Sequence, residues 1–248
     1  MHEAQMHKDN SFITLTYSDQ HLPPGGTLVK KDFQDFIKRL RKQKQQRIRY
    51  YHCGEYGENF NRPHYHALLF GYAPNDLRLF SEHNGIKTYS SDELSELWPY
   101  GFSNVGEVTF ESAGYVARYA MKKITGGKAI DHYGGLQPEY STMSRRPGIG
   151  ADWFHKFTSD VLPRDYVVVR GVRSPVPRYY LDLYSRQNRS NAELIKIKRE
   201  MAPQKYVNDV LSDGRHIKVS DRSLPRLRVQ EVVKIAQLQN LKRPLEVA

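Results

Sequence analysis

Two histidines one residue apart, His64 and His66, head an apolar run in the stretch RPHYHALLFG (62–71). Side chains alternate across a strand, so both imidazoles face one side and Tyr65 the other. About 7 Å apart along the backbone, they can converge on a single cation. In a chain with ten histidines such a pair means little by itself. Glu55 adds to it, because it ends the strand-like stretch RIRYYHCGE (47–55) just ahead. If the two stretches form a hairpin around YGENFNRP, the carboxylate lands beside the imidazoles across the ladder. Two histidines and a carboxylate with open positions suit a catalytic cation. Glu58 in the loop is the alternative third ligand, but a strand holds a ligand more firmly than a loop does.

The second chemical element is YVARYAMKK. On a helix Tyr115 and Tyr119 stand one turn apart on one face, and Lys122 continues that stripe. A phenol near pKa 10 needs help to ionise, which a cationic neighbour and a polarised electrophile supply. Together the parts describe transesterification of a phosphodiester: a tyrosinate attacks in line, leaving a 5′-phosphotyrosine and a free 3′-OH. The adduct keeps the bond energy, so no nucleotide cofactor is required. GGKA (126–129) has Ala129 where a P-loop has Ser or Thr, and no helicase motor is expected.

The elements that must position these groups are legible to different degrees. SFITLTYSD (11–19) reads as the first strand. In KDFQDFIKRLRKQ, Phe33, Phe36, Ile37 and Leu40 repeat at helical spacing. The two histidine-flanking stretches give an antiparallel hairpin. A polar excursion follows, then a short helix SSDELSELW (90–98) capped by Ser90 or Ser91, then a strand GFSNVGEVTF (101–110). Ser112 is expected to cap the tyrosine helix. Past residue 130 the pattern weakens: YSTMSRRPGIG reads as a loop, ADWFHKF as a short helix, DYVVVRG as a strand or hairpin arm. The final LPRLRVQEVVKIAQLQNLKR is helical and basic. The class is α+β, with a core at 1–130 and a C-terminal extension at 131–248 that packs on the core or contacts DNA.

Thirty-eight Lys and Arg against 27 Asp and Glu, net +11, favour a polyanionic partner, nucleic acid before an anionic membrane. No apolar run is long enough to span a membrane, and the polar opening MHEAQMHKDN is unlike a signal peptide. Cys53 stands alone, so neither a disulfide framework nor a cysteine zinc site is expected. A protein of a reducing compartment follows.

FITLTY, CGEYG, RPHYHALLFG and YVARYAMKK, in this order, resemble a replication initiator of the HUH endonuclease superfamily. With MSRRPGIG they resemble more narrowly the replication proteins of single-stranded DNA microviruses of the gokushovirus type, over about residues 11–155. The resemblance implies a central antiparallel sheet of the HUH (RRM-like) type flanked by helices. It implies Mg²⁺ or Mn²⁺ held by His64, His66 and, by position, Glu55, with Tyr115 and Tyr119 as nucleophiles and Lys122 assisting. Two imidazoles shift the metal preference toward Mn²⁺. It also implies rolling-circle initiation on single-stranded DNA at an origin, in the cytoplasm of a bacterial host, with a host helicase and polymerase as partners. Members of this branch carry a Cys-containing stretch ahead of the segment that opens this chain.

Two rival readings bear on the same residues. A zinc hydrolase of the His₂Glu type would place its histidines at i, i+4 on a helix, unlike this strand spacing. A non-catalytic single-stranded DNA or RNA binder, stacking bases on sheet aromatics, leaves Glu55, His64 and His66 without a purpose. For DNA contacts, nine Lys and Arg against two Asp crowd residues 30–49. Lys38, Arg39, Arg41 and Lys42 are the candidates on phosphate there, and Arg145 and Arg146 ahead of PGIG are candidates near the site. The C-terminal helix is open to DNA binding, core packing or assembly.

Overall fold

The computed structural model describes residues 1–57, 60–122, 127–162, 164–201, 206–210, 215–220 and 223–239. Within these, positions 119–122, 127–128, 206–210, 218–220 and 237–239 are described by their backbone alone. Strand β1 (Asn10–Tyr17) leads through two short 3₁₀ turns to helix α1 (Lys30–Lys44). Strands β2 (Arg49–Tyr56) and β3 (Pro63–Phe70) form a hairpin, and a second hairpin follows from β4 (Arg78–His83) and β5 (Ile86–Ser90). Helix α2 (Asp92–Leu97), strand β6 (Gly101–Gly106), helices α3 (Phe110–Lys122) and α4 (Gly127–Tyr133), strand β7 (Tyr140–Met143) and helix α5 (Ala151–Val161) complete the first part.

Seven strands make one antiparallel sheet in the order β4-β5-β6-β1-β3-β2-β7. The α+β class with helices flanking a central antiparallel sheet is therefore what the chain adopts. Alternation splits its side chains between two faces. Ile13, Leu15, Tyr17, Tyr65, Ala67 and Leu69 point to one, where they bury Phe33, Phe36, Ile37 and Leu40 of α1 and Leu94, Leu97 and Trp98 around α2. Phe12, Cys53, Leu68 and Phe70 point to the other, against Tyr115 and Val116 of α3.

Local chemistry explains several boundaries. Helix α1 ends where Gln45 turns left-handed at φ 50°. Ser91 caps α2, its side chain accepting from Leu94 N at 3.1 Å. At α3 the cap differs from expectation. Thr109 Oγ1 accepts from Ser112 N at 3.1 Å while Ser112 Oγ accepts from Thr109 N at 2.8 Å, a reciprocal pair that starts the helix before Ser112. The polar excursion after β3 is a strand pair rather than loop, and YSTM adds an edge strand where a loop is expected. Gly54 fits that edge strand, since a Cβ there would come within 2.8 Å of the Tyr140 ring.

The chain divides into two compact units, Met1–Phe157 and Thr158 onward. That division falls beyond the boundary at 130 suggested by the weakening pattern, because β7 pairs with β2 and brings residues 140–143 into the sheet. The second unit holds a hairpin of β8 (Tyr166–Val169) and β9 (Val172–Pro175), packed helices α6 (Arg178–Gln187) and α7 (Arg189–Glu200), a hairpin of β10 (Tyr206–Val210) and β11 (His216–Ser220), and helix α8 (Leu224–Gln239). Arg199 ties α7 to the approach of β8 by two bonds to Asp165, at 2.6 and 2.7 Å. Among the described residues no helix is long and apolar enough to cross a membrane.

Candidate metal centre and its neighbours

The β2–β3 register sets Glu55 directly opposite His64 and Cys53 opposite His66. The three polar side chains meet on the face covered by α3. Glu55 Oε1 lies 3.0 Å from His64 Nε2 and 2.6 Å from His66 Nε2. One ligand atom from each of the three residues lies within 4.8 Å of the other two. Glu55 and His66 are buried, His64 half-buried. Burial alone would raise the Glu55 pKa, but the His66 charge and hydrogen bonds from both imidazoles outweigh it and hold the carboxyl at about 2. An acceptor-only carboxylate and two imidazoles form a donor set that can hold a metal ion.

Both imidazoles are braced from behind. His64 Nδ1 sits 3.0 Å from the Arg62 carbonyl, to which it donates, leaving Nε2 turned inward. His66 Nδ1 shares a hydrogen bond of 2.9 Å with Thr14 Oγ1, and the Phe12 ring stacks on His66 at 5.5 Å. Thr14 stands opposite His66 on β1, so strand pairing positions this brace. Neither Thr14 nor Phe12 is singled out by the sequence. The signal was available in the alternation of FITLTY, which puts Phe12, Thr14 and Thr16 on the histidine face.

Tyr115 comes down from α3 into the same cluster. Its hydroxyl donates to Glu55 Oε1 at 3.0 Å and lies 3.4 Å from His66 Nε2, and the side chain is only 2% exposed. Tyr119 and Lys122 fall on the α3 backbone, with side chains outside the described residues, and Glu58 lies outside them altogether.

The basic candidates are placed elsewhere. Lys38, Arg39, Arg41 and Lys42 belong to α1, on the opposite face of the sheet. Arg39 Nε donates to the Leu97 carbonyl at 3.0 Å, and Arg41 grips the Ile48 carbonyl at 2.7 and 3.1 Å. These two guanidiniums close backbone rather than face a strand at the cluster. Arg145 and Arg146 follow β7 at the end of β2 away from Glu55. There Arg49 donates to the carbonyls of Pro147 and Gly148 at 3.0 and 2.9 Å. Arg49 and Glu55 are about 20 Å apart along an extended strand, so the RRPGIG loop is remote from the cluster.

Fold and cluster define an α+β protein with a candidate cation site and a phenol on one face of an antiparallel sheet. Residues 10–124 match the family model of ORF2-type replication-associated proteins. The chain is 37% identical over 227 residues to replication-associated protein VP4 of Bdellovibrio phage phiMH2K, covering 86% of this chain and 71% of that protein. It is 32% identical over 234 residues to replication-associated protein ORF2 of Spiroplasma virus 4, covering 83% and 71%. With replication-associated protein ORF4 of Chlamydia phage 1 it shares 33% over 192 residues, 73% of this chain but 47% of the relative. No solved structure matches. The chain belongs to this family of phage replication-associated proteins, and the resemblance to the gokushovirus-type replication proteins is borne out.

Proposed function

We propose that the protein initiates rolling-circle replication by cutting and rejoining single-stranded DNA at an origin, through a covalent 5′-phosphotyrosine. The observation that carries this reading is the Tyr115 hydroxyl, 3.0 Å from Glu55 and 3.4 Å from His66. A phenol packed on a candidate metal centre has no use in a plain binding module. Glu55, His64 and His66 would hold Mn²⁺ or Mg²⁺, which supplies charge neutralisation at a non-bridging phosphate oxygen. Tyr115 is held with its oxygen turned toward the site where the phosphate would sit. Attack forms the tyrosine O–P bond and breaks the P–O3′ bond. The 3′ oxygen leaves with the electron pair and takes a proton, while the phenolic proton is given up. Tyr119 is the second nucleophile and Lys122 its assisting cation in this scheme. Rejoining is the same exchange run backward, with a 3′ oxygen displacing the tyrosine. Host helicase and polymerase complete the cycle inside the infected bacterium.

The test is an adduct assay on denaturing gels with single-stranded oligonucleotides tiled across the origin region of the cognate phage genome. Wild type is run beside Tyr115→Phe, Tyr119→Phe and the double variant, each with Mn²⁺ and with EDTA. A metal-dependent covalent band that the double variant lacks is expected. Tight, salt-sensitive binding with no adduct under any condition would sink the nicking reading in favour of a binding module.

A further inference from the structure

Beside the metal cluster, the sheet face that α3 leaves open carries a groove of about 510 Å³, within the usual range for a small-ligand pocket. Thr14 and Phe12, which brace His66, also line this groove, so it is continuous with the cluster. Across it run β6, β5 and β4. Asn104 pairs with Thr14, and Phe102 with Thr16, which places both on the histidine face. Phe102 is 67% exposed and Phe80, on the groove wall, 65%. Two bare phenyl rings beside a polar floor are the equipment of a stacking platform for unpaired bases.

The ionisable lining says which part of a strand enters. Glu107 and Glu111 border the groove against Lys87. Two carboxylates to one ammonium repel phosphate, so the backbone stays outside and the base turns in. A carboxylate accepts hydrogen bonds and donates none. The exocyclic amino group of cytosine or adenine satisfies it, whereas uracil and thymine present two carbonyls around one N–H.

We propose that this groove binds the base flanking the scissile phosphate, stacked on Phe102 and Phe80 and selected for an amino-bearing edge by Asn104 and Glu107. The proposal rests on the nicking reading and adds to it a base preference built into the open half of the sheet.

Fluorescence anisotropy tests it with labelled oligodeoxycytidylate and oligodeoxyuridylate of equal length, which differ at the amino group without the complication of a methyl. Wild type should bind the cytosine strand several-fold to tenfold more tightly. Asn104→Ala and Glu107→Ala should erase that difference while leaving the weaker affinity in place. Phe80→Ala with Phe102→Ala should weaken both strands alike, by about tenfold, and Phe102→Trp should restore binding. Unchanged thermal unfolding of these exposed-site variants controls for folding. Equal affinity of wild type for the two strands, or a preference untouched by Asn104→Ala and Glu107→Ala, overturns the groove. If wild type still forms the adduct in that case, the nicking reading survives alone. No binding to either strand and no adduct takes down both.

Discussion

On one face of the central sheet Ile13, Leu15, Tyr65 and Leu69 meet α1 in an almost wholly apolar layer. On the other, Phe12, Thr14, His64 and His66 meet α3 along one half and an open groove along the other. The first face holds the fold by burial, which is non-directional and tolerant of detail. The second spends the same strand positions on a carboxylate and two imidazoles, which stay buried only because each polar atom has a partner. Polar groups on the α1 side are also satisfied. Tyr65 hydroxyl, for example, donates to the Val29 carbonyl at 2.9 Å. That bond secures the start of a helix, whereas the bonds of the α3 side converge on Glu55.

The contrast breaks most plainly by truncation in the α1 layer. Phe36→Ala should cost about 3–5 kcal/mol of unfolding free energy, measured by urea titration, with the Mn²⁺ affinity of the remaining folded protein unchanged. A loss of metal binding in step with stability would mean that the two faces are not separable. On the other side, Mn²⁺ at a hundredfold above its Kd should stabilise wild type by about 2.7 kcal/mol, and EDTA should remove the gain. Glu55→Gln should abolish most of that increment in a thermal-shift titration. A full shift in this variant would remove Glu55 from the metal set.

A pH series sharpens the comparison within the α1 face. His52 is stacked on Phe33 at 3.6 Å, and burial is the main cause of its pKa falling to about 3. Its folded pKa lies below the ordinary 6.5, so the unfolded chain binds the proton first. The stabilising contribution is complete above pH 6.5 and declines as pH falls toward 3, by at most about 1.4 kcal/mol per unit. The Glu55 carboxyl works in a lower window, between its ordinary 4.5 and about 2, and its contribution is also lost on acidification. Between pH 6.5 and 4.5, His52→Phe should therefore flatten the stability profile, and an unchanged slope would show that His52 is not the group responsible.

The smallest predicted effect concerns the brace behind the metal centre. Thr14→Val keeps the shape of the side chain and removes its hydroxyl from His66 Nδ1. Isothermal titration should show Mn²⁺ affinity falling about tenfold, with Thr14→Ser near wild type. Equal affinities for Val and Ser would reduce Thr14 to strand packing.

Much of this was legible in the chain because it depends on local period. His64 and His66 share a face by strand alternation, and Phe33, Phe36, Ile37 and Leu40 share one by helical spacing. The Glu55–His64 pairing followed from treating YGENFNRP as a hairpin loop, and the register bears that pairing out. The strand pair β4–β5 and the edge strand β7 were hidden. Their residues are mostly exposed or half-buried, so they carry no strong apolar alternation, and only pairing to neighbours makes them strands. The basic residues of α1 mislead for a related reason. Charge density reads from the sequence, but the face to which a helix turns its cations does not.

By itself, then, the sequence determined the chemical parts and their local geometry: the imidazole pair, the carboxylate one strand away, the tyrosine helix and the apolar stripe of α1. Tertiary structure alone decided that Tyr115 reaches Glu55, that Thr14 backs His66, and that α1 and the RRPGIG loop stand away from the cluster. These are contacts between segments about 50 or more residues apart, set by strand order and helix docking, and no pattern within a single segment encodes them.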